Sequence, residues 1–356
     1  MIQVIGLSHK SAPIELRERL AFSPKKLTEA LSMLKEYEAI DEGVIVSTCN
    51  RVELYIAGKD RDIAFRSVVE FLCTFHQLQE GELISHIYAL EDKDALRHLF
   101  RVGSSLESMV VGETQILGQI KDAYFKAKET GLSGKILAKV FEEAMRVGKK
   151  ARSETKIGKG VVSISSAAIV LAKQIFGSLH DKKVLIIGAG KIAELAAANL
   201  YEKGVKTVLV ANRTFMKAKE LAALFAGEAI TFEQIFEYLH DADILISSTS
   251  APHHIIKYGR IKEIMLTRGQ RALFLIDLGL PRNISPEVSG IENVHLYNID
   301  DLTSVCDVNL KERLAEVHKV ERIIQRRLEL VTKEMQEFYP NFGLNTESWL
   351  ELSKAR

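Results

Sequence analysis

The stretch IIGAGKIA at residues 186–193 decides the fold of much of this 356-residue chain. It has the pattern of a buried strand, a glycine turn and the start of a helix. Gly188 permits the tight turn, Gly190 lets the backbone approach a pyrophosphate, and Ala193 takes the small position where helix meets strand. The helix N-terminus offers N–H groups to phosphate. Small residues in such a turn can also serve packing alone, but this context predicts a dinucleotide-binding βαβ unit.

The flanking residues extend this pattern. Short β-rich runs alternate with helical stretches, which is typical of a doubly wound parallel sheet. We therefore expect a Rossmann-type NADP-binding domain at residues 156–300. Its strands are predicted at residues 183–187, 207–211, 244–247, 272–277 and 294–297. The coenzyme contacts expected at the turn are Gly188, Ala189, Gly190, Lys191, Ile192 and Ala193.

The second predicted strand ends in Asn212, Arg213 and Thr214. Proteins that bind NAD usually place Asp or Glu here to hold the ribose 2′-hydroxyl. A guanidinium would instead pair with a 2′-phosphate. The sequence therefore favours NADPH, although Arg213 could also be a solvated loop residue. The turns at residues 248–251 and 277–282 follow later strands, at the same ligand-binding edge of the sheet.

A cysteine is the most informative residue of the N-terminal part. Cys49 lies in STCNR at residues 47–51, directly after the apolar run 44–46, so a buried strand should end there in a polar turn. Most isolated cysteines are inert, but a thiol at this place is held rigidly and can face a cleft. Arg51 could favour the nucleophilic thiolate. We expect an α+β catalytic and substrate-binding domain at residues 1–155, with strands at 2–7, 43–47 and 52–57.

Composition narrows the class of protein. A hydrophobic share of 47% and a charged share of 27% are ordinary for globular domains, and the net charge of +1 creates no global basic field. Three cysteines without a C-x-x-C pair argue against a zinc site or a disulfide framework, so no metal is predicted. Neither a signal peptide nor an apolar run of membrane-spanning length is evident, so we expect a cytoplasmic protein without membrane contact.

The C-terminal segment, residues 301–356, is predicted to be helical. From about 309 to 338 an apolar stripe recurs at three-and-four spacing, which predicts a helix roughly 43 Å long. The stripe must be buried against its own protein or against a second copy, and the sequence leaves both open. The stripe consists of Leu310, Leu314, Val317, Ile324, Leu328, Val331, Met335 and Phe338.

A nucleophilic thiol and a nicotinamide coenzyme together indicate reduction of an activated acyl group to an aldehyde, or the reverse oxidation. The thiol would form a thioester, which accepts hydride far more readily than a carboxylate does. The motifs also resemble those of the glutamyl-tRNA reductase family. The resemblance is carried by residues 6–13 (GLSHKSAP), 47–55 (STCNRVELY), 107–121 (ESMVVGETQILGQIK) and 188–193, and it extends to about residue 301.

This resemblance implies an NADP-dependent oxidoreductase. It would reduce glutamyl-tRNA(Glu) to glutamate-1-semialdehyde through a cysteine thioester, the first step of five-carbon tetrapyrrole (porphyrin) biosynthesis. Cys49 matches the family's nucleophile and His98 a histidine that the family needs for activity. The positions that match substrate-binding residues are Thr48, Asn50, Arg51, Ser108, Glu113, Thr114, Gln115 and Gln119.

Several roles stay open at this point. Arg51 could grip the substrate's γ-carboxylate or tune Cys49. His98 could be a general base, could polarise the carbonyl, or could only pack near the site. Glu113 and Gln119 could bind the α-amino group or cap a helix.

The family also implies partners. Phosphates of tRNA require basic surface, and two candidate clusters lie at residues 146–159 and 311–327. Family members usually continue well beyond residue 356, so the dimer-forming region is expected to be abbreviated. A homodimer through the C-terminal helix and docking of glutamate-1-semialdehyde aminomutase are further expectations.

Two rival functions are compatible with parts of the sequence. A generic NADP dehydrogenase of small hydroxy or keto acids would share the 160–295 region and would need no thiol. A tRNA-binding regulatory protein without turnover would have no use for a nucleophile.

Overall fold

The computed structural model describes residues 1–113, 115–158, 164–305, 310–339 and 342. Side chains are not described at residues 24, 164–166, 191–192, 303–305, 310–314 and 338. Contacts group the chain into two compact units, where the sequence suggested three parts. The first unit comprises residues 1–161 with 310–356, and the second comprises residues 162–309.

The first unit is an α+β layer structure. Its strands are β1 (Ile2–Ser8), β2 (Glu42–Ser47), β3 (Arg51–Ala57) and β4 (Tyr88–Glu91). Its helices are α1 (Ile14–Leu20), α2 (Pro24–Leu34), α3 (Arg61–His76), α4 (Glu80–Ile84), α5 (Asp92–Gly103), α6 (Ile116–Glu129), α7 (Lys135–Glu154) and, at the end of the chain, α14 (Leu310–Phe338).

The second unit alternates strands and helices. Its strands are β5 (Lys183–Ile187), β6 (Thr207–Ala211), β7 (Glu228–Ile230), β8 (Ile244–Ser247), β9 (Leu273–Asp277) and β10 (Val294–Asn298). Its helices are α8 (Ile164–Phe176), α9 (Lys191–Glu202), α10 (Phe215–Ala223), α11 (Ile235–Leu239), α12 (Tyr258–Arg268) and α13 (Ile299–Val305). No helix in the described part of the chain combines the length and apolarity needed to cross a bilayer.

The sheet of the first unit is antiparallel, in the order β2-β3-β1-β4. Every residue of β1 and β3 is buried, so both faces of these strands are covered. Gly6 pairs with Glu53 on one side and with Tyr88 on the other. A Cβ at Gly6 would lie 2.3 Å from the Val52 carbonyl oxygen and 2.7 Å from the Glu53 Cα. Glycine therefore allows the central strands to approach each other around Glu53.

The long helix α14 packs on its own unit. Val320, Ile324, Leu328 and Val331 have no solvent exposure and belong to the core that includes α5 and α7. The described part of the predicted apolar stripe is thus covered within the chain. Of the two alternatives that the sequence left open, burial within the same protein is the one observed for this part of the stripe.

The sheet of the second unit is parallel, in the order β10-β9-β8-β5-β6-β7. This is the order of a doubly wound dinucleotide-binding sheet, and the predicted α/β fold is confirmed. The topological switch point lies between β5 and β8, which are neighbours in the sheet. A ligand crevice is expected at the carboxyl ends of these two strands.

Candidate active site

Cys49 and Asn50 form the loop of the β2–β3 hairpin. The backbone N–H of Thr48 donates to the Arg51 carbonyl oxygen at 2.9 Å. The Thr48 hydroxyl oxygen accepts the N–H groups of Asn50 at 3.1 Å and Arg51 at 3.2 Å. A hydroxyl that accepts backbone N–H groups in this way stabilises a tight turn. The partly exposed Cys49 thiol is therefore presented from a rigid frame.

A buried arginine that the sequence analysis missed is hydrogen-bonded to this loop. Arg17 of α1 is 2% exposed, and its Nη1 donates to the Cys49 carbonyl oxygen at 3.0 Å and to Asn50 Oδ1 at 3.3 Å. A charged donor on two acceptors of one turn restricts that turn strongly. Nothing in the local pattern of Arg17 distinguishes it from a surface residue of a short helix.

His9 lies on the other side of the loop, where its backbone N–H donates to the Asn50 carbonyl oxygen at 2.8 Å. Burial, followed by the charges of Arg51, Lys10 and Arg17, lowers the pKa of His9 to about 4. Its imidazole is therefore neutral near pH 7. Among the described residues its Nδ1 atom is buried without a hydrogen-bond partner, so it is available to a ligand at the loop.

Glu53 is the centre of a buried network on β3. Its Oε1 accepts from Arg51 Nη1 at 2.5 Å, from the Tyr88 hydroxyl at 2.5 Å and from His98 Nε2 at 2.8 Å. Its Oε2 accepts from the Tyr55 hydroxyl at 2.6 Å. Burial alone would raise the pKa of this unexposed carboxyl, but Arg51 and His98 hold the pKa well below its usual range. Glu53 is thus an anion that binds four donors.

The network gives Arg51 a role that the sequence did not suggest. Its side chain is 2% exposed, and while Nη1 binds Glu53, Nη2 donates to the Glu107 carbonyl oxygen. Burial lowers the pKa of Arg51, but the Glu53 carboxylate more than offsets this and the pKa lies above its ordinary value. The guanidinium therefore joins β3 to the loop that contains Glu107, a contact distinct from the two roles predicted for it.

His98 projects from α5 onto Glu53. The ring of Tyr88 meets its imidazole edge-on at 5.6 Å between centroids. Because Nε2 donates to a buried carboxylate, both the orientation and the tautomer of the ring are fixed. Glu53 lies four positions beyond Cys49 in sequence. The described hydrogen bond of His98 is therefore to the strand that follows the thiol hairpin.

A tight loop brings further predicted residues to this site. Ser105 has a φ of 62° and its hydroxyl donates to the Glu113 carbonyl oxygen at 2.6 Å, which closes the segment 105–113. Ser108 inside this segment is 6% exposed. Burial raises the pKa of the Glu113 carboxyl, while the nearby Ser108 hydroxyl and Arg51 oppose the rise. Glu113 therefore lies within electrostatic reach of Arg51 and beside Ser108.

The remaining substrate-binding positions are on α6 or just before it. Gln115 occupies the N-cap position of α6 without a capping hydrogen bond from its side chain. Gln119 follows one turn later, and both side chains are partly exposed. Neither amide is consumed by capping, which leaves both open to a ligand. Thr114 lies outside the described residues.

The second unit holds a cavity of about 900 Å³ at the predicted switch point. Gly188 has a φ of 99°, and a Cβ on it would lie 2.2 Å from the Ser248 carbonyl oxygen. A Cβ on Gly190 would lie 2.3 Å from the Ser248 hydroxyl. Gly188 is therefore required for both conformation and space, and Gly190 for space. The predicted coenzyme residues that line the cavity are Gly188, Ala189, Gly190, Asn212 and Arg213.

Other residues predicted to contact the coenzyme shape the turns or pack beneath the strand. The backbone N–H of Thr214 donates to Asn212 Oδ1 at 3.0 Å, which shapes the turn after β6. Ala193 is fully buried under the strand. The side chains of Lys191 and Ile192 lie outside the description. Lys217, which the sequence analysis missed, lines the cavity with Arg213 and adds a second cation there.

The turns at residues 248–251 and 277–282 differ in what they contact. Residues 248–251 line the cavity, as expected for the switch point. The Asp277 carboxylate instead accepts the backbone N–H groups of Gly279 at 3.0 Å and of Asn283 and Ile284 at 2.8 Å each. This carboxylate shapes its own turn.

A dinucleotide fits these residues. The glycine turn leaves room that any side chain would fill, and the cavity carries cations where a ribose phosphate would lie. Gly188 and Gly190 would face the pyrophosphate, and Arg213 with Lys217 would face the adenosine ribose.

Comparisons with known proteins agree with this division. Residues 5–155 match the family model "Glutamyl-tRNAGlu reductase, N-terminal domain", and residues 170–305 match "Shikimate / quinate 5-dehydrogenase". The glutamyl-tRNA reductase of Geotalea daltonii is 47% identical over 327 residues, which cover 92% of this chain and 75% of that protein. The corresponding protein of Carboxydothermus hydrogenoformans is 46% identical over 91% of this chain and 72% of its own length.

A solved structure extends the comparison to the fold. Glutamyl-tRNA reductase from Methanopyrus kandleri is 38% identical, with a TM-score of 0.52, over 95% of this chain and 81% of that one. Identity at this level over nearly all of the chain, together with a thiol hairpin in one unit and a dinucleotide cavity in the other, shows that the chain belongs to the glutamyl-tRNA reductase family.

Proposed function

We propose that this protein reduces the glutamyl ester of tRNA(Glu) to glutamate-1-semialdehyde, the first step of tetrapyrrole biosynthesis, with NADPH as reductant. The observation that carries the proposal is the Cys49 thiol at the tip of a hairpin that Thr48 and Arg17 hold rigid. It lies within a segment that matches the N-terminal domain of this family over residues 5–155.

The Cys49 sulfur attacks the ester carbonyl carbon, the ribose oxygen of tRNA leaves with the thiol proton, and a thioester remains on Cys49. A reduced nicotinamide, when bound, supplies hydride to convert this acyl group to an aldehyde. The thiolate is expelled and takes up a proton from solvent, so the enzyme returns to its starting state.

The residues around the thiol suit a glutamyl group. Glu113 offers a carboxylate for the α-ammonium group, and the neutral imidazole of His9 offers a hydrogen-bonding atom beside the reacting carbonyl. Ser108, Gln115 and Gln119 are uncharged donors for the γ-carboxylate. Arg51 and His98 are proposed to act through Glu53, by holding β3, α5 and the 105–113 segment in one arrangement.

The activity is tested by giving the purified protein glutamyl-tRNA(Glu) with and without NADPH. Without NADPH we expect a glutamyl adduct on Cys49, detected by mass spectrometry of the digested protein. With NADPH we expect semialdehyde, uncharged tRNA and oxidised coenzyme in equal amounts. Reduction of small keto acids without tRNA would favour the generic dehydrogenase. Binding of charged tRNA without NADPH oxidation would favour the regulatory protein.

We propose NADPH rather than NADH because Arg213 and Lys217 line the same cavity. Replacing Arg213 by alanine should raise the KM for NADPH about 10- to 100-fold, as expected for loss of one charged hydrogen-bonded contact. Activity with NADH should change little, since NADH lacks the 2′-phosphate. Steady-state kinetics with both coenzymes measure this difference.

Lys219→Ala is the matched control, because Lys219 is a cation of the neighbouring helix α10 that lies over the ring of Phe215 and does not line the cavity. It should leave both KM values near those of the parent protein. An equal loss with NADPH and NADH in Arg213→Ala would contradict a 2′-phosphate contact.

The aldehyde product is reactive, so direct transfer to glutamate-1-semialdehyde aminomutase is its proposed fate. A homodimer is not assigned to the apolar stripe of α14, because the described part of that stripe is buried within the chain.

A further inference from the structure

A second cavity lies in the first unit, between α5 and α14. Its volume is about 450 Å³, and its lining residues are Arg97, His318, Glu321, Arg322 and Gln325. We call it the α5–α14 groove. Every lining side chain is polar or charged and none is Phe, Tyr or Trp, so the groove suits a charged group rather than a stacked base.

The groove carries uncompensated positive charge. Arg97 Nη2 donates at 2.9 Å to the side-chain oxygen of Gln325, a neutral partner. Within the described residues neither Arg97 nor Arg322 forms an ion pair. Glu321, the one acidic lining residue, is paired with Arg101. Two guanidinium groups are therefore available to an anion.

Neighbouring basic residues contrast with these two. Arg327 binds Glu143 at 2.5 Å and Lys319 binds Glu316 at 2.6 Å, so these cations of the C-terminal cluster are compensated. In the other predicted cluster, Arg146 binds Glu143 at 2.9 Å. Side chains at residues 311–314 and residue 159 lie outside the description. Of the described cations of the C-terminal cluster, Arg322 lines the groove, where it lies beside Arg97, a residue that the sequence analysis did not consider.

The groove is connected to the thiol site within the same unit. Arg97 precedes His98 on α5, and Arg101 one turn later pairs with both Glu321 of the groove and Glu107. The Glu107 carbonyl oxygen accepts from Arg51. A helix with its side chains is about 10–12 Å across, so the groove is about one helix diameter from the Glu53 network.

We propose that the α5–α14 groove binds backbone phosphates of the acceptor arm of tRNA. The proposal rests on the proposed function, since it takes glutamyl-tRNA as the substrate. Arginine pairs bidentately with phosphate, and a groove with two arginines and no Phe, Tyr or Trp suits the backbone rather than the bases. The ester is at the end of the acceptor arm, so the phosphates near it are those that a site on the unit of Cys49 would contact.

The test is binding of RNA to the double variant Arg97→Gln/Arg322→Gln. Fluorescence anisotropy with uncharged tRNA(Glu), and with a hairpin RNA that contains only its acceptor arm, is measured over a series of salt concentrations. We expect the affinity for both RNAs at low salt to fall about tenfold or more relative to the parent protein. The slope of log K against log salt should fall by about 1 to 2, as expected for the loss of one or two phosphate contacts.

Two single variants serve as a control and as an independent test of the groove. Arg66→Gln removes an exposed charge on α3, outside the groove, and should leave both affinities near those of the parent protein. Gln325→Glu keeps both arginines but places a carboxylate beside Arg97, and it should weaken binding if the groove takes phosphate. It provides a second measurement should the double variant fold poorly.

Parent-like affinity of both groove variants for both RNAs overturns the proposal. If the groove variants lose affinity for tRNA but not for the acceptor-arm hairpin, the assignment to the acceptor arm is overturned. Neither binding measurement involves turnover. If the parent protein fails to reduce glutamyl-tRNA, the proposed activity is refuted, and this outcome is distinct from a failure of the groove variants to change RNA affinity.

Discussion

Replacing Cys49 by alanine is expected to abolish semialdehyde formation, with a fall in kcat of at least ~1,000-fold. The thioester cannot form without the sulfur, and none of the neighbours described here is a comparable nucleophile. The loop should keep its shape, because its hydrogen bonds use the Thr48 hydroxyl, backbone atoms and the Asn50 side chain. Product release from glutamyl-tRNA and the mass of the trapped adduct measure the effect.

Cys73→Ser is the matched control for this loss. Cys73 lies on α3, and burial, followed by Glu80 and Glu82, raises the pKa of its thiol. It is therefore protonated at neutral pH and a poor nucleophile. The variant should retain nearly all activity and should still form the adduct at Cys49. Undiminished turnover in Cys49→Ala would refute the thioester mechanism.

Replacing Glu53 by glutamine is expected to cause the second-largest loss. The change leaves the Arg51 guanidinium buried without its anion, which costs about 3–5 kcal/mol of unfolding free energy. It also removes the negative charge of the acceptor that fixes His98 and leaves a single oxygen for four donors. We expect kcat/KM to fall ~100-fold or more in the folded fraction, measured by turnover normalised to folded protein from circular dichroism.

Tyr55→Phe separates stability from positioning. The Tyr55 hydroxyl donates to Oε2, whereas Arg51 and His98 donate to Oε1. Its loss should cost about 1.5–3 kcal/mol, as expected for a hydrogen bond to a charged group, while activity stays near that of the parent protein. If both variants lost activity only in proportion to their unfolding, Glu53 would have no positioning role in catalysis.

The network should persist over the pH range of an assay. Because the folded-state pKa of Glu53 lies below its ordinary value, its contribution to stability is present above the unfolded pKa and is lost only as the pH falls through the folded one. The pKa values of Tyr55 and Tyr88 lie well above their ordinary value, chiefly through burial and then through Glu53. Both hydroxyls therefore remain donors.

Strong local patterns predicted most of the regular structure. The predicted strands at residues 183–187, 207–211 and 244–247 coincide with β5, β6 and β8. The edge strand β4 was missed, because it is short, half-buried and defined by its pairing with β1. Helix α7 begins at Lys135, three residues beyond Leu132, where the helical pattern of the sequence starts. The Leu132 carbonyl oxygen accepts from Gly43 at 2.9 Å, so residue 132 pairs beside β2.

The sequence by itself determined the thiol turn and the glycine turn, because each depends on residues within a few positions of one another. Thr48 closes the first turn on its own neighbours, and Gly188 permits the second by its conformation. These local constraints were sufficient to predict a nucleophile and a dinucleotide site.

Only the tertiary structure decided how the charged groups are paired. The bond from His98 to Glu53 spans 45 positions, and that from Arg327 to Glu143 spans 184. Whether a buried charge binds a partner or stays available depends on which elements pack together, and no local pattern encodes that choice. This is why Arg51 became part of a buried network, why the stripe of α14 is covered within its own chain, and why Arg97 and Arg322 remain available to an anion.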